Sequence, residues 1–294
     1  MKYHVWGSYS THIIGRVLSL GLLIFLFAYY QRTLARAAIT DSLGVLYASG
    51  GETLTAENLS EKVYLPAAFK KFPVKKFPPV SKGGLSVEDL IINSLAMNTA
   101  DRWTMDLVDG DTVTISVAPG TPVDLVLSVD DSEGLILVNQ QNLSPAGEVE
   151  TITDLSITST GIHDLLVQTV DGEQTDYALM LLDEDSYNFV LRGTFFDNDS
   201  RNDSLPAEVD HFWFFNALSD NRVSFTITPE IDGDPYIELY NPEGSRILTI
   251  DDNSDGEPES LENYTLLDSG LYSIRIAEFN FQPMEYQITL SVEE

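Results

Sequence analysis

The sequence has 294 residues, 43% of them hydrophobic, and a formal net charge of −30 at pH 7. This length suggests about two domains, and the absence of cysteine excludes disulfides, a thiol nucleophile and cysteine metal ligands. Residues 83–294 hold 42 acidic residues against six arginines and no lysine, which excludes nucleic acid as a partner of this part of the chain.

The N-terminus contains an uncharged apolar run, Val17 to Tyr30, after a short basic region. The run precedes the small-residue sequence Ala35-Arg36-Ala37, and these features together predict a secretory signal peptide within residues 1–37. The alternative is an uncleaved membrane anchor in residues 13–30, because the run approaches the ~20 residues of a spanning helix. Both interpretations place the rest of the chain outside the cytoplasm, in the medium or at the cell surface.

A linker is predicted for residues 38–83. Val63 to Val80 contains four prolines and shows no sustained period, which is typical of an extended segment. The region is also rich in lysine, in contrast to the acidic remainder of the chain. We expect a soluble spacer whose lysines can rest on the acidic domains or on an anionic cell surface.

The rest of the chain contains an internal repeat with an offset of 109 to 111 residues. The matched segments are TVTISVAP with RVSFTITP (from Thr112 and Arg222), DLVLSV with PYIELY (from Asp124 and Pro235), YALML with YQITL (from Tyr177 and Tyr286), and Asp101-Arg102-Trp103 with Asp210-His211-Phe212. A nearly constant offset across several motifs indicates a duplicated domain. The predicted copies are residues 84–185 and 186–294.

Each copy consists of short segments with alternating apolar and polar residues, separated by Gly, Pro, Asp and Asn, which is typical of an antiparallel β-sandwich. Because alternate residues of a strand face the same side, the predicted core includes Val113, Ile115 and Val117 and their counterparts Val223, Phe225 and Ile227. Val87 to Met97 fits a helix or a first strand, with Tyr187 to Gly193 in the corresponding place. The predicted fold class is all-β, with two tandem antiparallel β-sandwich (jelly-roll-like) domains after an N-terminal signal or anchor segment and a linker.

The segment HFWFF, His211 to Phe215, has aromatic residues on both faces of a predicted strand. Matched to the first copy, Phe212 and Phe214 are expected to point into the core. Trp213 and Phe215 then point to the outer face, where an apolar surface is unusual for a sandwich strand. We expect them to form a ligand or interdomain surface, either buried against the first copy or the linker or exposed as a stacking platform for a sugar ring or a partner protein.

An acidic loop, DDNSDGEPESLE, fits the calcium-loop pattern D-x-[DN]-x-[DN]-G-x5-E at every specified position. The segments on both sides alternate like strands, which excludes an EF-hand with its two helices. The predicted metal ligands are Asp251, Asn253, Asp255, Glu257 and Glu262, with calcium as the expected cofactor. A solvated acidic loop is the alternative, because the first copy has the uncharged residues SPAG in the corresponding connection. A second acidic stretch, residues 197–203, is predicted as a turn.

The order of the motifs in each copy resembles that of the bacterial pre-peptidase C-terminal domain. The motifs are an aspartate with an aromatic residue two positions later (Asp101/Trp103 and Asp210/Phe212), the TVTI-type strand, a strand that ends before Glu-Gly, a Ser/Thr-Gly turn and a closing strand that begins with tyrosine. The first copy departs from this pattern at His163, where the second has Tyr272. The resemblance covers residues 84–183 and 187–294. It implies jelly-roll-like sandwiches that serve exported enzymes as non-catalytic modules, some of which bind calcium, collagen or polysaccharide.

The sequence predicts a protein without catalytic activity. After the signal segment the only histidines are His163 and His211, both on predicted strands, and no G-x-S-x-G nucleophile motif accompanies them. The expected function is that of an exported binding or adaptor protein that engages an extracellular protein or a polysaccharide. The alternative is a structural spacer or accessory protein of the cell envelope that takes no small ligand.

Overall fold

The computed structural model describes residues 75–294, except 187, 197 and 231, and two short segments nearer the N-terminus. Contacts divide the chain into two units, residues 1–71 and 72–294. In the first unit, β1 (Leu46–Tyr47) pairs antiparallel with β2 (Thr53–Leu54). The predicted signal or anchor segment and most of the predicted linker lie outside the described residues. No helix within the described residues is long and apolar enough to cross a membrane.

The second unit begins with strands that form two facing sheets. In chain order they are β3 (Pro79–Gly84), β4 (Leu90–Leu95), β5 (Ala100–Leu107), β6 (Thr112–Pro119), β7 (Leu125–Asp130), β8 (Ile136–Gln141), β9 (Glu150–Ser156), β10 (Gly161–Thr169) and β11 (Thr175–Asp183). One sheet has the order β3-β5-β10-β7-β8 and the other β4-β11-β6-β9. β3 begins a few residues before the predicted boundary at residue 84, and Val87 to Met97 contains strand β4 rather than a helix.

The strands that follow repeat this arrangement. They are β12 (Asn188–Phe195), β13 (Asp199–Leu205), β14 (Val209–Ala217), β15 (Arg222–Pro229), β16 (Pro235–Tyr240), β17 (Arg246–Ile250), β18 (Glu259–Thr265), β19 (Gly270–Glu278) and β20 (Met284–Glu293). Their sheets have the orders β12-β14-β19-β16-β17 and β13-β20-β15-β18, the same as in the first half. Two expectations are wrong in detail. The counterpart of β12 is β3 rather than residues 87–97, and residues 199–203 of the acidic stretch lie in strand β13 instead of a turn.

Each pair of sheets encloses its own hydrophobic core. The first core contains the predicted Val113, Ile115 and Val117. The second contains their counterparts Val223, Phe225 and Ile227. The predicted burial of all six is confirmed, because the two-residue period of a strand sends these side chains to one face. The residues between them point to the opposite face of their sheet.

A third apolar layer joins the two pairs of sheets. We call it the interlayer cluster, and its buried members are Ala118, Ala178, Met180, Leu191, Phe212, Phe214 and Leu271. They come from the four-stranded sheet of the first pair and the five-stranded sheet of the second. Across this layer, Thr194 Oγ1 donates a 2.6 Å hydrogen bond to the carbonyl oxygen of Pro119. The four sheets of residues 79–294 are therefore stacked on one another, with an apolar layer between each neighbouring pair.

The outer faces of the first and the last sheet of the stack are polar at the positions that correspond to the apolar residues of the interlayer cluster. In the last sheet, the counterparts of Ala118, Ala178 and Met180 are Thr228, Gln287 and Thr289. In the first sheet, the counterparts of Phe212 and Phe214 are Arg102 and Thr104. Apolar side chains stabilise a sheet face only where a second layer removes them from water. Because these outer faces are polar, no further sheet packs on them, as with the polar caps of repeat proteins.

Candidate functional site

The structural repeat differs by one residue from the predicted match in strand β14. Gly83 in β3 lies opposite Trp103, and Gly193 in β12 lies opposite Trp213, in each case after a β-bulge. Trp213 is therefore the counterpart of Trp103, and the predicted match through Phe212 is wrong by one position. A one-residue shift exchanges the two faces of a strand.

The predicted surface formed by Trp213 and Phe215 is wrong for this reason. Trp213 is only 4% exposed and Phe215 only 1%, and both belong to the second core. Phe212 and Phe214 take the interdomain position instead, within the interlayer cluster. Trp213 therefore has no open face on which a sugar ring can stack.

A tyrosine hydroxyl inside the first core forms hydrogen bonds with two polar side chains. Trp103 Nε1 donates a 2.7 Å hydrogen bond to the hydroxyl of Tyr177, which donates a 2.8 Å bond to Asp101 Oδ2. The Nζ atom of Lys82 lies 3.4 Å from the same carboxylate oxygen. Burial raises the pKa of Asp101, and the interactions with Tyr177 and Lys82 oppose that rise. The hydrogen bonds of this cluster are made internally, as buried polar groups require.

The second core contains the same cluster with its charges rearranged. Trp213 Nε1 donates a 2.8 Å hydrogen bond to Tyr286, whose hydroxyl lies 2.9 Å from His211 Nδ1. His211 stands where the first copy has its aspartate, and the carboxylate has moved to Asp203, which lies 3.6 Å from His211 and pairs with Arg192. Burial lowers the pKa of His211 to about 4, against the opposing charge of Asp203. A neutral ring can accept a hydrogen bond from the hydroxyl of Tyr286 at Nδ1.

His163 is also closed off from solvent. Its side chain is fully buried, and its Nδ1 lies 3.0 Å from the carbonyl oxygen of Gly161. A general base has to come within hydrogen-bond reach of its substrate. Among the described residues, neither His163 nor His211 is placed to do so.

The predicted calcium ligands lie in the connection from β17 to β18 and, for Glu262, in the middle of β18. All of them are exposed, namely Asp251, Asn253, Asp255, Glu257 and Glu262. As they stand, no three acidic or histidine side chains of the described residues are close enough together to hold a metal ion. The loop connects β17 at the edge of the five-stranded sheet to β18 at the edge of the four-stranded sheet, so it lacks the flanking helices of an EF-hand. The sequence spacing alone therefore does not assemble a metal site.

Glu259 at the start of β18 fixes the shape of this loop. Its Oε1 accepts hydrogen bonds from the backbone N–H groups of Asp252 and Asn253 at 3.0 and 2.6 Å. The N–H of Gly256 donates to the carbonyl oxygen of Gly233 at 2.8 Å, which brings the loop against the residues that precede β16. The Oε2 atom of Glu259 is buried and has no hydrogen-bond partner among the described residues.

Asp234, which no sequence motif marks, lies where this loop meets β16. It is 9% exposed, and its Oδ1 is buried without a hydrogen-bond partner in the described part of the chain. Burial raises the pKa of Asp234, and the negative charges of Asp255 and Asp251, a side-chain hydrogen bond with Asp255 and the charge of Glu278 raise it further. These four carboxylates are the acidic pocket of the second copy.

The corresponding place in the first copy carries less negative charge, with Asp171 as the neighbouring carboxylate whose charge acts on Asp124. Asp124 is the counterpart of Asp234, and it accepts a 2.7 Å hydrogen bond from the side-chain amide of Asn142. The neutral residues Asn142, Ala146 and Thr169 are replaced in the second copy by Asp251, Asp255 and Glu278. A match of DLVLSV with PYIELY leaves Asp234 without a counterpart in the first copy. A match of DLVLSV with DPYIEL, one residue earlier, is the signal that finds it.

An exposed aromatic pair stands beside the acidic pocket, in the turn between β19 and β20. Phe279 and Phe281 are 54% and 55% exposed, and the N–H of Phe279 donates to the carbonyl oxygen of Asp234 at 2.9 Å. Phe281 has a φ of 58°, which is uncommon for a bulky residue. Phe281 also lines a surface groove of about 610 Å³ together with Glu88, Asp185, Ser186, Asn188 and Glu208.

Comparison with known proteins gives only distant structural likenesses. No protein-family model and no curated protein matches the chain. The pre-peptidase C-terminal domain of collagenase from Bacillus anthracis is 13% identical, over 35% of this chain and 93% of that one, with a TM-score of 0.28. PliG of Aeromonas hydrophila, a periplasmic inhibitor of g-type lysozyme, is 12% identical, over 36% and 96%, with a TM-score of 0.28. The PBSX exported protein XepA is 8% identical, over 70% and 87%, with a TM-score of 0.27. Likenesses of this strength carry no argument about function.

Proposed function

We propose that this chain is an exported, non-catalytic binding or adaptor protein made of two β-sandwich domains of the pre-peptidase C-terminal type, residues 79–185 and 186–294. The observation that carries the proposal is the repetition of one strand order and one buried Trp–Tyr cluster in both halves. It supports a framework whose buried polar side chains serve its own stability. Contacts with a partner are then left to the surface loops and turns.

The pairing of the strands supports sandwiches rather than a β-solenoid, in which successive coils stack parallel strands. Parallel pairing in the described part of the chain is confined to β3 with β5 and β12 with β14. The other pairs are antiparallel, and many neighbours in a sheet are distant in sequence. Such an order favours a jelly-roll-like module with two facing sheets.

Export is proposed from the apolar run at residues 17–30, either as a cleaved signal or with membrane attachment through residues 13–30. The acidic composition of residues 83–294 fits either location, because a net charge far from zero keeps a domain soluble and monomeric. The proposed location is therefore the cell surface or the medium.

We propose that the partner, an extracellular protein or a polysaccharide, contacts the turn that carries Phe279 and Phe281. Aromatic side chains on a rigid framework are typical anchors of binding sites. The adjoining groove is lined by Glu88, Asp185 and Glu208. Its charge favours a basic protein segment over an acidic polysaccharide.

Binding of the full-length protein to a panel of surface polysaccharides and extracellular proteins tests this proposal, with biolayer interferometry as the readout. A ligand that binds the Phe279→Ala/Phe281→Ala variant about tenfold more weakly, a loss of about 1.4 kcal/mol, supports it. The matched control is Leu218→Ala/Leu267→Ala, which removes two exposed apolar side chains elsewhere. Equal losses in both variants, or hydrolysis of a substrate on the panel, would argue against it.

The interlayer cluster favours a second candidate function, that of a structural spacer of the cell envelope. A spacer has to hold its two halves in a fixed relation, and a shared apolar layer does so. In this case no ligand on the panel binds, and the protein fractionates with the envelope. Saturable binding that depends on Phe279 and Phe281 would exclude the spacer as its sole function.

A further inference from the structure

Strand β8 is the last strand of the five-stranded sheet in the first copy, so one of its edges has no neighbouring strand among the described residues. An edge strand presents backbone N–H and C=O groups that can pair with a strand from another chain. Proteins usually protect such edges with charged residues, proline or bulges. The segment from Leu135 to Leu143 contains no charged residue and no proline. The edge of β8 therefore lacks the first two protections.

The second copy shows a protected form of the same edge. Three aliphatic residues at the edge of the first copy, Leu135, Ile136 and Leu143, are 63%, 50% and 65% exposed. Their counterparts at β17 in the second copy are Ser245, Arg246 and Asp252. The same strand order therefore forms without aliphatic residues at these positions. Their exposure in the first copy is not a requirement of the fold.

Bulges limit how much of β8 is available for pairing. The register between β7 and β8 shifts twice, and bulges increase the local twist of a strand. Within β8, Gln140 has a positive φ of 51°. We therefore expect an incoming strand to pair with the short segment from Ile136 to Asn139, ahead of this residue.

Strand β4 is also an uncharged edge strand, but its edge is covered. The Nζ of Lys82 donates a 3.1 Å hydrogen bond to the carbonyl oxygen of Ser94. Leu90 and Ile92 pack against the interlayer cluster. The aliphatic side chains of β4 are thus used within the fold, whereas those of β8 remain open to a partner.

The charges around β8 select the kind of partner. Ile136, Asp130 and Asp164 lie side by side on β8, β7 and β10, because they are paired across the sheet. Glu133 is exposed in the turn before β8. Lys76 lines the groove beside Ile136, but the three acidic side chains outnumber it. A second copy of this chain is repelled by its own net charge of −30, whereas a strand that carries lysine or arginine is attracted.

We propose that the edge of β8 is a docking site for an extended segment of a basic partner protein, which adds to the sheet as a further strand. In strand addition, main-chain hydrogen bonds give affinity and alternate side chains give specificity. A lysine opposite Ile136 is expected to lay its aliphatic stem on Ile136 and to direct its ammonium group toward Asp130. This surface belongs to the first copy and is separate from the turn of Phe279 and Phe281. It goes beyond the contact proposed above.

Binding of a synthetic peptide to the full-length protein tests the proposal, with isothermal titration calorimetry as the readout. The probe is the capped peptide KVTVKVTVK, which alternates valine with lysine and threonine. We expect saturable binding to the wild type and slower hydrogen exchange of the backbone amides of residues 136–139 in the complex. The peptide KVTPKVTPK is expected to bind about tenfold more weakly, because proline cannot donate to a ladder. The acidic peptide EVTVEVTVE is expected to bind more weakly as well.

The second copy supplies the substitutions for the edge. Ile136→Arg/Leu143→Asp gives β8 the residues of the protected edge and leaves the net charge unchanged. Because the same fold carries these residues at β17, we expect the variant to fold and to bind the probe about tenfold more weakly. The matched control, Leu218→Arg/Leu267→Asp, makes the same exchanges at exposed positions of the second copy. It is expected to bind the probe as the wild type does.

Two results overturn the proposal directly, namely the absence of saturable binding to the wild type and equal losses in both variants. Light scattering adds a third. A wild type that dimerises, beside an Ile136→Arg/Leu143→Asp variant that does not, would assign the edge to a second copy instead of a basic partner. Binding through Phe279 and Phe281 is measured with other variants and other ligands, so its failure is distinguishable from failure at β8.

Discussion

The indole Nε1 of Trp213 lies 2.8 Å from the hydroxyl oxygen of Tyr286, and the same bond joins Trp103 to Tyr177 at 2.7 Å. The polar neighbour of the tyrosine hydroxyl differs between the two cores, an aspartate in the first and a histidine in the second. The hydroxyl and its indole donor are unchanged. The tyrosine hydroxyl is therefore the centre on which each cluster depends.

Removal of this hydroxyl is expected to destabilise the fold. Tyr286→Phe leaves the N–H of Trp213 and the Nδ1 of His211 buried without their partner, which costs about 1–3 kcal/mol in the free energy of unfolding. Tyr177→Phe is expected to cost a similar amount in the first copy. Urea unfolding followed by tryptophan fluorescence measures both. Variants as stable as the wild type would show that the hydroxyl is not needed.

The rearranged charges of the second cluster predict a coupled pair of substitutions. His211→Asp places a second carboxylate beside Asp203 and is expected to cost about 1–3 kcal/mol. Addition of Asp203→Asn recreates the aspartate and asparagine of the first copy, so the double variant is expected to recover most of the loss. A double-mutant cycle in urea measures the coupling energy, expected at about 1–3 kcal/mol. Costs that simply add would contradict the equivalence of the two clusters.

Acidification is expected to destabilise the second copy through His211. Burial sets the pKa of His211 at about 4 in the folded chain, and it is about 6.5 in the unfolded chain. Between these values the unfolded chain binds a proton that the folded chain does not. The stability contribution is therefore full above about pH 6.5 and is lost as the pH falls toward 4.

The matched variant for this pH dependence is His211→Gln, which keeps a neutral polar side chain. Urea unfolding at pH values between 4.5 and 7 is the measurement, chosen as roughly the window between the two pKa values. The wild type is expected to lose stability more steeply than His211→Gln over this range. Equal slopes would mean that other groups titrate there.

The interlayer cluster predicts unequal effects at equivalent positions. Met180→Ala leaves a cavity between the two copies and is expected to cost about 2–5 kcal/mol. Thr289→Ala, at the counterpart position on the exposed last sheet, is expected to change stability by less than about 0.5 kcal/mol. Thermal and urea unfolding measure both. Similar costs at the two positions would show that the copies do not stabilise each other.

The two-residue period was sufficient to predict the core residues of TVTISVAP and RVSFTITP, because a strand with one buried face leaves a direct pattern in the sequence. The repeat was visible for the same reason. The face of β14 was predicted wrongly because HFWFF is apolar on both sides. In such a strand the period no longer distinguishes core from interface, and only the pairing of Gly193 with Trp213 decides.

The acidic pocket could not be predicted from the spacing of the loop. The calcium pattern specifies residue types along one segment, whereas the pocket combines that segment with Asp234, which precedes β16, and Glu278, which ends β19. Their proximity depends on the register of β16 and β19, in which Pro235 lies opposite Glu278. An alignment of the repeats that is wrong by one residue pairs Asp124 with Pro235 and leaves Asp234 unnoticed.

Binding of the full-length protein to surface polysaccharides and extracellular proteins, measured by biolayer interferometry, tests most directly whether the turn between β19 and β20 contacts a partner. We predict at least one saturable ligand that Phe279→Ala/Phe281→Ala binds about tenfold more weakly than the wild type, whereas Leu218→Ala/Leu267→Ala binds it unchanged. The absence of any saturable ligand, or equal losses in both variants, would contradict the proposed function.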